Sequence, residues 1–250
     1  MNYQELQIAI KIIYVDFFRE MGIDRTTGIV HGTNYRFTGF PYIGRNYLSA
    51  PLRLFFIPLD VGYDECMQSN SYHSLEDRES IFPDGDLDFN PHIAGMYSTA
   101  LYILKDKMGW VDAWKTLWSK RDSFKMRKAI HNSYDILPKD LMSYLAYDNR
   151  FRFVTLGRTR RTGGKDRVYL QPEIEGQLLL DEISLLNPDY IIFQGRYGLW
   201  NCHLDELKRK YQVIESYHPS CWQRGADKLQ YIVESLAPQI SLPKCISKTI

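Results

Sequence analysis

Tyr211-Gln212-Val213-Ile214-Glu215-Ser216-Tyr217-His218-Pro219-Ser220 runs from an apolar, β-branched stretch straight into a histidine and a proline. Val213 and Ile214 favour a pleated strand, and Pro219 cannot continue one. The stretch follows a short helical pattern, Leu204–Lys210, and precedes another, Asp227–Leu236. A late strand between two helices is the signature of an α/β chain. In such folds ligands bind outside the carboxyl ends of the strands, which is where His218 falls. Ser220 adds a hydroxyl and a backbone N–H that suit an anion. Taken alone, His218-Pro219-Ser220 fits a strand-to-loop corner with a satisfied histidine better than it fits a site.

Three more apolar runs read as strands: Arg53–Leu59, Phe151–Leu156 and Tyr190–Gln194. Helical patterns separate them. Ile93–Lys107 follows an Asn90-Pro91 start signal, and Trp110–Lys120 forms a second helix. Pro172–Leu186 places Ile174, Leu178, Ile183 and Leu186 on one face and ends at Asn187-Pro188. Strands alternating with helices imply right-handed crossovers and a parallel sheet. The expected fold class is α/β, a three-layer α/β/α arrangement around a four-stranded, mostly parallel twisted sheet. Residues 1–50 form an N-terminal extension packed on this domain, which spans 51–250. Within the extension, residues 3–20 are helical, with Leu6, Ile10, Ile13 and Phe17 on one face. Residues 25–50 are rich in Gly, Tyr, Thr and Asn and read as loops or a hairpin.

The chain has 250 residues, 44% of them hydrophobic, enough for a sizeable single core. A net charge of +1 gives no global sign of a nucleic-acid partner, but it leaves room for a local basic face. The 18 tyrosines and 5 tryptophans are core residues by default. Cys66, Cys202, Cys221 and Cys245 lie far apart without a C-x-x-C pair, which argues against a zinc ribbon. The N-terminus lacks a basic-then-apolar signal pattern, and no apolar run is long enough to span a bilayer. The expectation is a cytoplasmic monomer with no membrane contact.

Chemistry-bearing residues gather after the strands. The first strand runs into Pro58-Leu59-Asp60-Val61-Gly62-Tyr63, where an acid stands at the strand end and Gly62 allows close approach to a ligand. A β-to-α turn with Asp60 as a helix cap explains the segment equally well. The second strand leads into Gly157-Arg158-Thr159-Arg160-Arg161-Thr162-Gly163-Gly164-Lys165-Asp166-Arg167, the most basic segment of the chain. Its charge, glycines and hydroxyls suit a phosphate backbone better than plain solvent once it shares a sheet edge with Asp60 and His218. The third strand ends in Phe193-Gln194-Gly195-Arg196, again a strand meeting a glycine turn.

Together these segments resemble the uracil-DNA glycosylase superfamily, in order and in rough spacing, from about residue 52 to 236. Pro58-Leu59-Asp60-Val61-Gly62 resembles the family's first motif (G-Q-D-P-Y, G-x-N-P-G or G-E-A-P-G). Thr155 through Gly164 resembles its basic segment, and Pro188 through Gly195 its P-x-V-I-V-A-L-G strand. His218-Pro219-Ser220-Cys221-Trp222-Gln223-Arg224 resembles H-P-S or H-P-A followed by a hydrophobic pair and Arg. Asn90-Pro91-His92-Ile93-Ala94-Gly95 resembles the pocket-wall segment ending in R-A-G. Three departures stand out. Pro58 replaces the leading glycine. Thr155 and Leu156 occupy the place of the asparagine that reads the pyrimidine edge. Arg160 stands where a cluster cysteine would fall, so no iron–sulfur cluster and no other cofactor is expected.

The resemblance implies a DNA glycosylase, acting on single- or double-stranded DNA. It would flip a damaged or modified base, one found in foreign or phage DNA for example, and hydrolyse its N-glycosidic bond. Asp60 and His218 become the catalytic pair: a carboxylate beneath the cationic sugar, and a donor aimed at the departing base. Gly62, Tyr63, Phe89, Asn90 and Thr155 become the base pocket, although Phe89 fits a core position equally well. Arg158, Thr159, Arg160, Arg161, Gln194, Ser220, Trp222 and Arg224 become the DNA contacts. Trp222 either wedges into the stack or packs on the last helix. The alternative is a glycosylase scaffold that binds nucleic acid without catalysis, favoured by the missing asparagine and the missing leading glycine. A nucleotide- or sugar-processing enzyme on a similar sheet would be expected to carry a G-x-G-x-x-G turn, which does not follow the first strand.

Overall fold

The computed structural model describes residues 1–59, 72–80, 90–156, 169–195 and 201–240, with residues 201–204 described by their backbone alone. Helix α1 (Tyr3–Met21) opens with a capping box in which the Asn2 and Glu5 side chains satisfy each other's backbone N–H groups. It ends at Gly22, whose φ of 64° is the left-handed C-cap that glycine adopts without penalty. Strands β1 (Tyr35–Phe37), β2 (Tyr42–Ile43) and β3 (Leu54–Pro58) follow. After them come α2 (Leu75–Glu79), α3 (Pro91–Met108), α4 (Val111–Trp118), α5 (Met126–His131), β4 (Leu145–Tyr147), β5 (Phe153–Thr155) and α6 (Pro172–Leu186). The described chain closes with β6 (Tyr190–Gln194), α7 (Asn201–Lys210), β7 (Gln212–Ser216) and α8 (Leu229–Tyr231).

The central sheet has five strands in the order β2-β4-β3-β6-β7. Its four inner and right-hand strands pair in parallel, and β2 joins β4 antiparallel at one edge. Helices cover both faces. One face, with Leu54, Phe56, Ile192 and Ile214, packs on α3, α4, α5 and the C-terminal segment. The other, with Phe55, Ile57, Ile191 and Phe193, packs on α1 and α6. This alternation is the period-2 geometry of a strand buried on both sides.

The sheet corrects the sequence reading in two places. Four strands were expected and five are present. Phe151–Leu156 was expected to be the second parallel strand, but β5 lies outside the central sheet and pairs antiparallel with β1, from Tyr35↔Thr155 to Phe37↔Phe153. The second parallel strand is β4, only three residues long. Residues 25–50 do not fold as one hairpin: β1 pairs with β5, and β2 with β4. The last helical pattern is irregular, with α8 running into a π-type turn over Ile232–Leu236. Helices α1, α3 and α6 lie where the 3.6-residue periodicity put them. Among the described residues no helix is long and apolar enough to cross a membrane.

In chain order the parallel strands are β3, β4, β6 and β7, and in space the second lies outside the first. The connections leave β3 on one side and reach β6 on the other. The crevice at their carboxyl ends is therefore the topological switch point, the favoured ligand position of an open α/β sheet.

Candidate functional site

The corner after β7 is held by its own hydrogen bonds. Ser216 Oγ donates to Phe193 O at 3.0 Å, Tyr217 N donates to the Tyr231 hydroxyl at 2.7 Å, and Cys221 N donates to His218 O at 2.8 Å. Pro219 is buried, His218 half-buried and Ser220 exposed. The Ser220 backbone N–H donates to His218 Nδ1 at 3.1 Å, and Ser220 Oγ lies 2.6 Å from the same atom. A backbone N–H can only donate. Nδ1 therefore carries a lone pair, and the neutral ring keeps its proton on Nε2. Proline and serine thus fix the tautomer of the histidine as well as the direction of the chain.

That Nε2–H faces the first turn of α3. His92 Nε2 lies 2.8 Å from His218 Nε2, with the two rings edge to face at 4.1 Å between centroids. With the His218 proton on Nε2, His92 Nε2 is the acceptor. Helix α3 reaches this position because Asn90 caps it, its side-chain oxygen accepting from Ile93 N at 3.0 Å, and because Pro91 occupies the first helical position. The helix comes close because residue 95 is glycine. A Cβ there would lie 2.6 Å from Pro219 Cγ and 3.0 Å from Gln194 Nε2.

Gln194 ends β6 at the switch point. It is 2% exposed, and its Oε1 finds no hydrogen-bond partner among the described residues. Gly195 follows with φ of 136°, where a Cβ would lie 2.6 Å from Leu59 Cγ. The glycine lets the β3 and β6 ends converge.

The sheet register extends this site across the molecule. Pro58 pairs with Gln194, and Gln194 with Ser216. On the other side, Asp148 N and Arg150 N donate to Phe56 O and Pro58 O at 3.1 and 2.8 Å, continuing the β3–β4 ladder past Tyr147. Alternation puts Asn149 on the same face as Tyr147, the α3 face. One row therefore runs Asn149, Pro58, Gln194, Ser216 along the carboxyl end of the sheet, with His218 two residues beyond. Asn149 is 5% exposed. Sequence reading missed it because Phe151–Leu156, with its stronger apolar pattern, took the place of the second strand.

Behind Asn149 lies a buried ionic cluster that sequence reading also missed. Arg152 pairs with Asp148, and its Nη2 reaches Glu182 Oε2 at 2.7 Å. The Tyr14 hydroxyl joins both acids and accepts from Arg152 Nη1 at 2.6 Å. Burial pushes the Glu182 carboxyl up to about 8; Arg152 opposes the shift and Asp148 adds to it. Members come from α1, α6 and the exit of β4, so the cluster fixes the peptide that carries Asn149. Nearby, Glu175 Oε1 accepts from Leu170 N and Gln171 N at 2.6 and 2.9 Å and anchors the start of α6. Burial raises its carboxyl to about 7, against the opposing effect of those two N–H groups.

Of the residues expected from sequence, the structure brings together His218, Ser220, Gln194 and the Asn90–Gly95 segment. Asn90 itself is committed to capping α3. Thr155 sits at the end of β5, in the two-stranded sheet, and is not part of the carboxyl-end row. Trp222 is 70% exposed, so it does not pack on the last helix. Arg224 is exposed, its guanidinium 5.5 Å from the Tyr217 ring centroid. Asp60, Gly62, Tyr63, Phe89, Arg158, Thr159, Arg160 and Arg161 lie outside the described residues. So does the rest of the basic 157–167 segment.

A cavity of about 490 Å³ opens on the far edge of β7, lined by Lys208, Glu215, Tyr217, Tyr231, Ser235 and Gln239. The Gln239 amide there pairs with both backbone groups of Glu215 and so covers the edge strand. That cavity does not reach His218. Among the described residues no group of three His, Cys, Asp or Glu side chains is placed to hold a metal ion. Comparison with known proteins returned no matching family model and no matching curated protein.

Proposed function

We propose that the protein is a DNA glycosylase that takes a damaged or modified base out of the stack and hydrolyses its N-glycosidic bond. The observation that carries this reading is the state of His218. The ring is held by Ser220 N–H as an Nε2–H donor, at the carboxyl end of the sheet beside the switch point. A neutral imidazole donor suits the negative charge that develops on a departing base oxygen. Asn149 and Gln194 supply amides on the same row, a chemistry suited to the hydrogen-bonding edge of a base. Asp60 follows Leu59, which lies against Gly195, and takes the role of the carboxylate under the sugar.

Asn149, leading out of the second parallel strand, supplies an amide suited to reading a pyrimidine edge. Pyrimidines with an intact edge, uracil included, return to the candidate substrates. Trp222, exposed next to the histidine corner, fits a side chain that fills the gap left by the flipped base.

One observation favours the second reading, a scaffold that binds DNA without cutting. The His218 donor is already engaged by His92. A substrate oxygen must displace His92 or share the proton with it.

The test is incubation with oligonucleotides bearing uracil, deaminated purines or bulky modified pyrimidines, followed by alkaline cleavage of abasic sites. A nick at one or more of these bases in the wild type, lost in Asp60→Ala and in His218→Ala while binding persists, supports the enzyme. Binding with no nick at any base in the wild type supports the scaffold.

A further inference from the structure

The charge on this chain is unevenly spread. Eight lysines and arginines stand against three aspartates between residues 105 and 128, in a protein of net charge +1. These residues form the end of α3, α4, the following turn and the start of α5. Several of the cations lie over aromatic rings at the surface. The Arg121 guanidinium sits 4.9 Å from the Trp118 ring centroid, and Lys128 Nζ sits 5.0 Å from that of Phe124. Some have acidic partners, such as Arg121 with Asp122 and Lys125 with Asp227, but the surplus of positive charge remains.

The position of this ridge matters more than its charge. Its turn is bolted to the segment that follows the histidine corner. Met126 N donates to Asp227 O at 2.8 Å, Lys125 Nζ meets Asp227 Oδ2 at 2.7 Å, and Gln230 Nε2 donates to Asp122 Oδ1 at 2.9 Å. Asp227 is three residues beyond Arg224 and five beyond the exposed Trp222. In chain order, the His218 corner is therefore followed by an exposed aromatic, an exposed arginine and the segment tied to the ridge of cations. Cations interleaved with aromatic rings offer a strand charge for its phosphates and flat surfaces for its bases.

We propose that the α4–α5 ridge, centred on Arg121, Lys125 and Lys128, binds the phosphate backbone of the DNA strand that leaves the His218 site. The proposal rests on the nucleic-acid reading of that site and assigns a contact surface separate from the 157–167 segment. It predicts affinity that is independent of sequence and of the identity of the flipped base, and that falls with salt.

The experiment titrates fluorescent single- and double-stranded oligonucleotides, with and without a modified base, into the full chain from about 50 to about 200 mM salt. Arg121→Ala/Lys128→Ala is expected to bind roughly tenfold or more weakly at about 0.1 M salt, with a slope of log K against log salt flatter by up to about two. Acetylation footprinting on the wild type is expected to show Lys125 and Lys128 protected by DNA, a result that needs no variant to fold. Unchanged affinity and slope, with both lysines unprotected, overturn the ridge even where the wild type excises a base. Weakened binding and lysine protection without excision at any base keep the ridge and remove the glycosylase. A wild type that binds no oligonucleotide overturns both.

Discussion

His92 Nε2 and His218 Nε2 lie 2.8 Å apart, joining the first turn of α3 to the corner after β7. The pair is directional. Ser220 N–H occupies His218 Nδ1, so His218 donates and His92 accepts. In His92→Ala, His218 is expected to keep its proton on Nε2, because the Ser220 contact that selects the tautomer is untouched. Imidazole nitrogen-15 NMR checks this: Nδ1 should stay unprotonated and Nε2–H should move to a less hydrogen-bonded shift. A proton on Nδ1 in that variant would show that His92, not Ser220, sets the ring.

Gly95 is the point where α3 and the histidine corner touch. A methyl group there meets two ring carbons of buried Pro219, which cannot yield as a flexible chain end would, and comes within 3.0 Å of the Gln194 amide. Gly95→Ala is expected to cost about 1–3 kcal/mol in urea unfolding and to disturb the His92–His218 contact in the same NMR spectrum. A variant of unchanged stability with an intact pair would mean that the helix has room to move.

Arg152 is 2% exposed and faces two acids and a tyrosine hydroxyl. Arg152→Met strips the buried acids Asp148 and Glu182 of their hydrogen-bonding partner and removes the cation beside Asp148, and a loss of about 3–5 kcal/mol is expected. Replacing Arg152, Asp148 and Glu182 together by apolar residues of similar size should recover much of it. Equal losses in the single and triple variants would show that packing, not charge, sets the cost.

Stability should fall as pH rises from the acid side of neutrality. The Glu175 and Glu182 carboxyls sit at about 7 and about 8 in the folded protein because of burial. In the unfolded chain they titrate near the ordinary value of about 4.3. The folded state therefore holds protons that the unfolded state releases. The stabilisation is complete below the unfolded value and is lost as pH passes through the folded one. Urea midpoints at about pH 5.5 and about pH 8.5 should show the lower value at the higher pH, with Glu175→Gln flattening the difference. A midpoint that rises with pH would contradict the burial argument.

Much of the sheet is legible in the sequence. Leu54–Pro58 and Tyr190–Gln194 are continuous apolar runs bounded by turn residues, which is how a strand buried on both faces reads. Strand β4 is not legible by that rule. It has three residues, and the chain continues the ladder through Asp148, Asn149 and Arg150, polar side chains whose burial depends on partners distant in sequence. Strand β5 took its place because Phe151–Leu156 is the stronger pattern. Its antiparallel partner β1 lay in a stretch rich in loop residues. The histidine corner was legible because proline and serine follow histidine directly. His92 stands out in the sequence only within the Asn90–Gly95 segment, and nothing in its neighbours announces a partner 126 residues away.

The most direct test of the account is the single-turnover excision rate of His218→Ala against the wild type, on an oligonucleotide bearing a base that the wild type removes. The account predicts a rate lower by about 10²–10³ with the oligonucleotide still bound, since one preset donor to the leaving base is lost. Excision by His218→Ala at the wild-type rate would contradict it.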